Sequence, residues 1–81
     1  MTTTQTAWLS DNGITVAQYP DGITVFRGRR YEAVVFASWP NDIRVADLTQ
    51  PDENAELAGM FATAAYVSSL HDALAMVRRQ A

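Results

Sequence analysis

Between Ile14 and Leu48 apolar residues recur at every second position in short runs, and each run stops at a cluster of turn-forming residues. The runs are Ile14–Tyr19, Ile23–Phe26, Tyr31–Trp39 and Ile43–Leu48. They are interrupted at Pro20-Asp21-Gly22, at Arg27-Gly28-Arg29-Arg30 and at Pro40-Asn41-Asp42. Val, Ile, Thr, Phe and Tyr at a period of two suit a pleated, half-buried surface, and the breaks suit hairpins. The pattern predicts an α+β fold built on a four-stranded antiparallel meander.

Local chemistry sharpens that prediction. In Tyr19-Pro20-Asp21-Gly22, proline presets φ near −65° and glycine accepts a positive φ, so this stretch should close the first hairpin. Parity then places Ile14, Val16, Ile23 and Val25 on one face and Thr15, Ala17, Thr24 and Phe26 on the other. Gly28 supplies a permissive backbone in the second turn. Val34, Val35 and Phe36 are consecutive, as in a central strand covered on both faces. Trp39–Asp42 is expected to turn the chain, leaving Ile43–Leu48 as a half-exposed edge strand.

Past Leu48 the period changes. Pro51 and the acids around it suit a helix start, and Leu57, Met60, Phe61, Ala64 and Ala65 recur at helical spacing. Gly59 and Thr63 oppose a helix, so Gly59–Val67 has a fifth strand as its alternative. Ser69 with Asp72 resembles a helix cap, and Leu70, Ala73, Leu74 and Val77 form an apolar stripe ending at Arg78 and Arg79. A C-terminal helix, or helix pair, is therefore expected on one face of the sheet. Residues 1–6, polar and threonine-rich, are expected to be a flexible N-terminus to a single domain over 7–81. Trp8 should cover an edge of the core or begin a short extra strand, ahead of a turn at Ser10-Asp11-Asn12-Gly13.

Composition narrows the function. The 81 residues include no cysteine, so neither disulfides nor thiolate metal sites are available. A chain this short buries only about 60–65% of its unfolded surface, enough for a core but little for a deep substrate cavity. No apolar run reaches the length of a membrane span and no leader peptide is recognisable, which suggests a cytoplasmic protein. His71 is the only histidine. Asp72 beside it points elsewhere on a helix, and Ser68 lies one turn away without a supporting acid. No catalytic residue, metal site, calcium loop, phosphate-binding glycine loop or cofactor is expected, and the chain reads as a non-enzyme.

Charge leaves two candidate contact surfaces. Net charge is −3 and every base is arginine. Asp42, Asp47, Asp52, Glu53 and Glu56 face only Arg44 between residues 42 and 56, a local charge of −4. Such carboxylates cap and solubilise a helix start, or they imitate a phosphate backbone and occupy a basic nucleic-acid groove. Arg27, Arg29 and Arg30 place +3 on one turn, which balances nearby acids or grips a phosphate or an acidic partner.

A very short, acidic, cysteine-free α+β chain with a meander, a C-terminal helix and no catalytic constellation resembles the small phage-encoded anti-CRISPR proteins. The resemblance lies in size and architecture and rests on no shared motif. It implies a binding protein that blocks a host Cascade-type nucleoprotein complex at its DNA-recruiting surface; separately, a monomer in the host cytoplasm is expected, without direct contact to nucleic acid or membrane. Two alternatives are a nucleic-acid or phosphate-contacting module using Arg27–Arg30, and a structural or self-associating domain of a mobile element joined through an exposed sheet edge or face.

Overall fold

A computed structural model describes residues 3–52 and 61–79. It is an α+β fold: α1 (Thr3–Asp11), β1 (Thr15–Tyr19), β2 (Ile23–Arg27), β3 (Tyr31–Phe36), β4 (Trp39–Pro51), β5 (Phe61–Val67) and α2 (Leu70–Arg79). The strands form one antiparallel sheet in the order β1-β2-β3-β4-β5. The meander therefore has five strands rather than four.

The fifth strand follows from the needs of β4. Ile43, Val45, Ala46 and Asp47 are all buried. An edge strand in that position would leave a row of buried amides and carbonyls without partners. β5 supplies them, pairing Ile43 with Val67, Arg44 with Tyr66 and Val45 with Ala65. Ile43–Leu48 is thus an inner strand, and the edges are β1 and β5. The helix expected around Leu57–Ala65 is replaced by strand from Phe61 onward. Leu57, Gly59 and Met60 lie outside the described residues.

Two turns differ from expectation. The chain reverses between β3 and β4 at Ala37-Ser38, so β3 ends at Phe36 and Trp39-Pro40-Asn41-Asp42 begins β4. Pro40 is tolerated there because pairing with β5 starts only at Ile43, where the ladder first needs donors on that side. The first hairpin loop has three residues, with Gly22 at φ 78° and its amide donating to the Tyr19 carbonyl at 3.2 Å. A type I turn followed by a left-handed glycine has this form. An odd loop reverses the assumed parity: Val16 stands opposite Phe26, and Ala17 opposite Val25. Ile14, Val16 and Phe26 consequently share the inner face, while Ile23 and Val25 lie on the outer one.

The inner face carries the core. Ile14, Phe26, Ala33, Ile43 and Val45 pack with Leu9 of α1 and with Ala73 and Val77 of α2, and Tyr31, Val35, Ala65, Val67, Leu74 and Met76 close around them. Ser69 caps α2 by accepting the Asp72 amide on Oγ at 3.2 Å. The buried stripe of α2 is narrower than its sequence suggests, because Leu70 remains exposed.

Residues 3–6, expected in a flexible N-terminus, belong to α1, and Trp8 is helical rather than extended. Gly13 at φ 72° ends this helix: its amide donates to Ser10, and the Ile14 amide donates to Leu9 at 2.8 Å. Leu9 and Ile14 are both buried, so a Schellman cap and its hydrophobic contact convert the expected turn into a helix stop.

Gly28 fixes how closely α2 approaches. A β-carbon there would stand 2.8 Å from Val77 Cγ1 and 2.9 Å from the Val77 carbonyl oxygen. Gly28→Ala should destabilise the domain by about 1–3 kcal/mol. Adding Val77→Ala removes the methyl conflict but not the carbonyl one, so it should recover little. Urea melts of the single and double variants measure both effects. An unchanged midpoint for Gly28→Ala would show that α2 docks elsewhere.

Candidate interaction surface

Among the described residues, the charged groups singled out by the sequence do not form one surface. Arg27 and Glu32 are direct cross-strand partners on the outer face, with Arg27 Nε donating to Glu32 Oε2 at 3.0 Å. Arg30 turns to the inner side instead. Its Nη2 donates to Asp47 Oδ2 at 3.3 Å, its guanidinium lies 5.2 Å from the Tyr31 ring centre, and its Nε is buried without a partner among the described residues. Arg29 is exposed between them. The +3 turn therefore sends its flanking guanidinia to opposite sides of the sheet.

The acids are similarly divided. Asp47 is only 6% exposed. Its Oδ1 accepts from the Thr49 hydroxyl at 2.6 Å and the Thr49 amide at 2.9 Å. The Thr49 hydroxyl, then the Thr49 amide, and then Arg30 hold the Asp47 carboxyl below its ordinary value, against the opposing effect of burial. Asp42 is exposed near the other end of β4, and Asp52 is half-buried just beyond that strand. Glu53 and Glu56 lie outside the described residues. Arg44 reaches across to β5, donating from Nε to Thr63 Oγ1 at 2.8 Å and from Nη2 to the Phe61 carbonyl.

His71 is exposed and lines a groove of about 340 Å³ with Trp8, Leu74, Ala75 and Arg78. Arg78 lies 5.9 Å from the Trp8 ring centre. No three His, Asp or Glu side chains converge among the described residues. None of their helices is long and apolar enough to cross a membrane.

A different surface emerges on the outer face of the sheet. Direct cross-strand partners project to the same side, so register alone assembles rows across the strands. Tyr19 pairs with Ile23, Ile23 with Phe36, and Phe36 with Trp39, a row of large apolar side chains across four strands. The Phe36 and Trp39 rings meet edge-on with centres 6.4 Å apart. The next row is smaller in its first three members: Ala17, Val25 and Val34, followed by Arg44 and Tyr66. The third is polar at its centre, with Thr15, Arg27, Glu32, Ala46 and Thr63.

Exposure distinguishes the aromatic side chains of this face from the core, whereas Glu32 and Ala46 in its third row are buried. Tyr19 is 54% exposed, Trp39 65% and Tyr66 68%, and Phe36 also reaches solvent. A trough of about 220 Å³ over Ala17 and Val25 is bounded by Tyr19 at one end and by Thr15 and Arg27 at the other. Aromatic ridges beside an aliphatic floor, with Arg27 at the margin and Arg44 toward one end of the second row, resemble the composition of a protein-contact surface. The sequence reading missed this surface because it assumed an even hairpin loop. The signal was the Pro20-Asp21-Gly22 triplet, whose odd length puts Tyr19 and Ile23 beside one another.

Comparison with models of protein families, with characterised proteins and with solved structures gave no match.

The lowered carboxyl of Asp47 ties stability to pH. A group whose folded value is depressed contributes stability above its unfolded value, near 4 for aspartate, and loses it as pH falls through the folded value. Asp47→Asn should therefore be destabilised relative to wild type at about pH 7, and the difference should narrow below about pH 4. Denaturant melts across that range test this. A gap independent of pH would mean that the Asp47 charge contributes nothing to the fold.

Proposed function

We propose that this chain is a non-catalytic binding protein whose working surface is the outer face of its sheet. The observation that carries the reading is the Tyr19-Ile23-Phe36-Trp39 row. Both helices lie on the opposite side, so among the described residues no helix covers these aromatics as the inner face is covered. Leaving large apolar groups in water has no benefit to folding, and contiguous exposure of this kind marks contact surfaces.

The reading favours a protein surface as the partner over a nucleic acid. Arg27 is neutralised by Glu32, and Arg30 is drawn to the inner side by Asp47. The arginine turn therefore does not present three converging guanidinia to a phosphate. Acidic mimicry of nucleic acid is likewise not what supports the proposal, since Asp47 is buried and paired and Asp42 stands well along β4 from it.

Site-specific photo-crosslinking in cells producing the full chain tests the surface. A photoreactive amino acid in place of Trp39 or Tyr66 should yield covalent protein adducts, whereas one in place of Asp11 or Asp72 on the helical side should yield few. Trp39→Ser and Tyr66→Ser should each shift the melting temperature by no more than a surface substitution does, within about 0.5 kcal/mol. Adducts arising only from positions 11 and 72 would move the working surface to the helices and overturn the proposal.

A further inference from the structure

We infer that the outer face is covered by a second copy of the same chain, packed sheet on sheet about a two-fold axis. The inference rests on the proposal that this face is the working surface and names its occupant. A two-fold contact requires a patch to fit itself, with each group meeting a different group of its partner in a reciprocal way. The adjacent rows of this face have that relation.

Consider a two-fold axis running across the strands, midway between the aromatic row and the row beside it. It reverses the strand direction and lays each row on its neighbour in the other copy. Tyr19 then stands over Ala17, Ile23 over Val25, and Phe36 over Val34, each pair occurring twice; on β4 an irregularity sets Trp39 and Arg44 five residues apart, so the relation holds for the first three strands. The three large residues Tyr19, Ile23 and Phe36 thus meet the smaller Ala17, Val25 and Val34. The trough above Ala17 and Val25 lies where Tyr19 and Ile23 of the other copy arrive.

Charge allows the same contact. Within the three rows the carboxylate is Glu32, and it is bound to Arg27 of its own chain. Among the described residues no row of carboxylates is therefore set against its copy, with Asp42 exposed on β4 between Trp39 and Arg44. The area is small. Strands spaced about 4.8 Å apart and about 17 Å long give a five-stranded face of roughly 400 Å² in projection on each copy. Two such faces, roughly 800 Å² together, fall below the roughly 1,200 Å² at which stable specific interfaces begin and within the weak, transient class, so the dimer should be weak and reversible.

The test is sedimentation equilibrium of the full chain from about 1 μM to 1 mM, a range chosen to bracket the weak association expected of a small interface. Mass should rise from monomer to dimer across that range. Phe36→Glu and the more exposed Trp39→Glu should each weaken association at least tenfold while the dilute protein melts as wild type does. Trp8→Ser, on the helical side, should leave association unchanged. Arrangement is read by disulfide trapping, since the natural chain has no cysteine. A mixture of Ile23→Cys and Val25→Cys chains should form mixed disulfides faster than either variant forms disulfides with itself. A monomer at 1 mM overturns the inference, and so does association that Trp8→Ser abolishes or self-disulfides that outpace mixed ones. In the first case, crosslinks from position 39 to a different protein would preserve the outer face as the working surface. Their absence would remove both.

Discussion

The double pairing of β4 is the constraint on which the rest of the fold depends. This strand is laddered to β3 on one side and β5 on the other, and it sends Ile43 and Val45 into the centre of the core. Its backbone groups there have no access to water, so both ladders must form for burial to be favourable. α2 lies across the same strands, with Val77 lodged where Gly28 leaves no side chain. Asp47 extends the constraint to the end of the core by joining β4 to Arg30 of the β2–β3 turn and by bonding Thr49 of its own strand. Removing either neighbour of β4 would expose polar backbone and the apolar core together.

Much of this was legible because strand and helix signals are local. Alternation from Ile14 to Leu48 marked the first four strands, and the Ser69 cap with the Ala73–Val77 stripe marked α2. What could not be read locally was decided by pairing. Phe61–Val67 carries alanines that suit a helix as well as a strand, and the vacant side of β4 settles its state. Ser10–Gly13 has the same composition whether it links two strands or ends a helix; the burial of Leu9 against Ile14 makes it a helix stop. Charge does not say which acids share a face: Asp42 and Asp47 lie close in sequence, yet β4 separates them and turns Asp47 inward.

The outer face shows how a single loop residue determines which surface a protein offers. With Pro20, Asp21 and Gly22 forming a three-residue loop, Phe26 enters the core while Tyr19 and Ile23 stand outside it. A loop one residue shorter or longer would exchange these roles across the hairpin, because the side-chain period of a strand is two. The Ala37 amide also donates to the Gly22 carbonyl at 2.8 Å, tying the first hairpin tip to the β3–β4 turn beneath the aromatic row. The row is therefore set on a braced end of the sheet.

The strictly sequential strand order bears on how the chain reaches this structure. Every strand pairs only with its neighbours in the sequence, so no ladder waits for a distant segment to arrive. Short loops cost little entropy to close, and proteins dominated by such closures cross low barriers. Hairpins can add one after another in the order in which the ribosome delivers them. Until β5 and α2 emerge, however, β4 remains a growing edge with its apolar residues uncovered. The last third of the chain thus acts as a closing step that protects the nascent sheet from pairing with other chains.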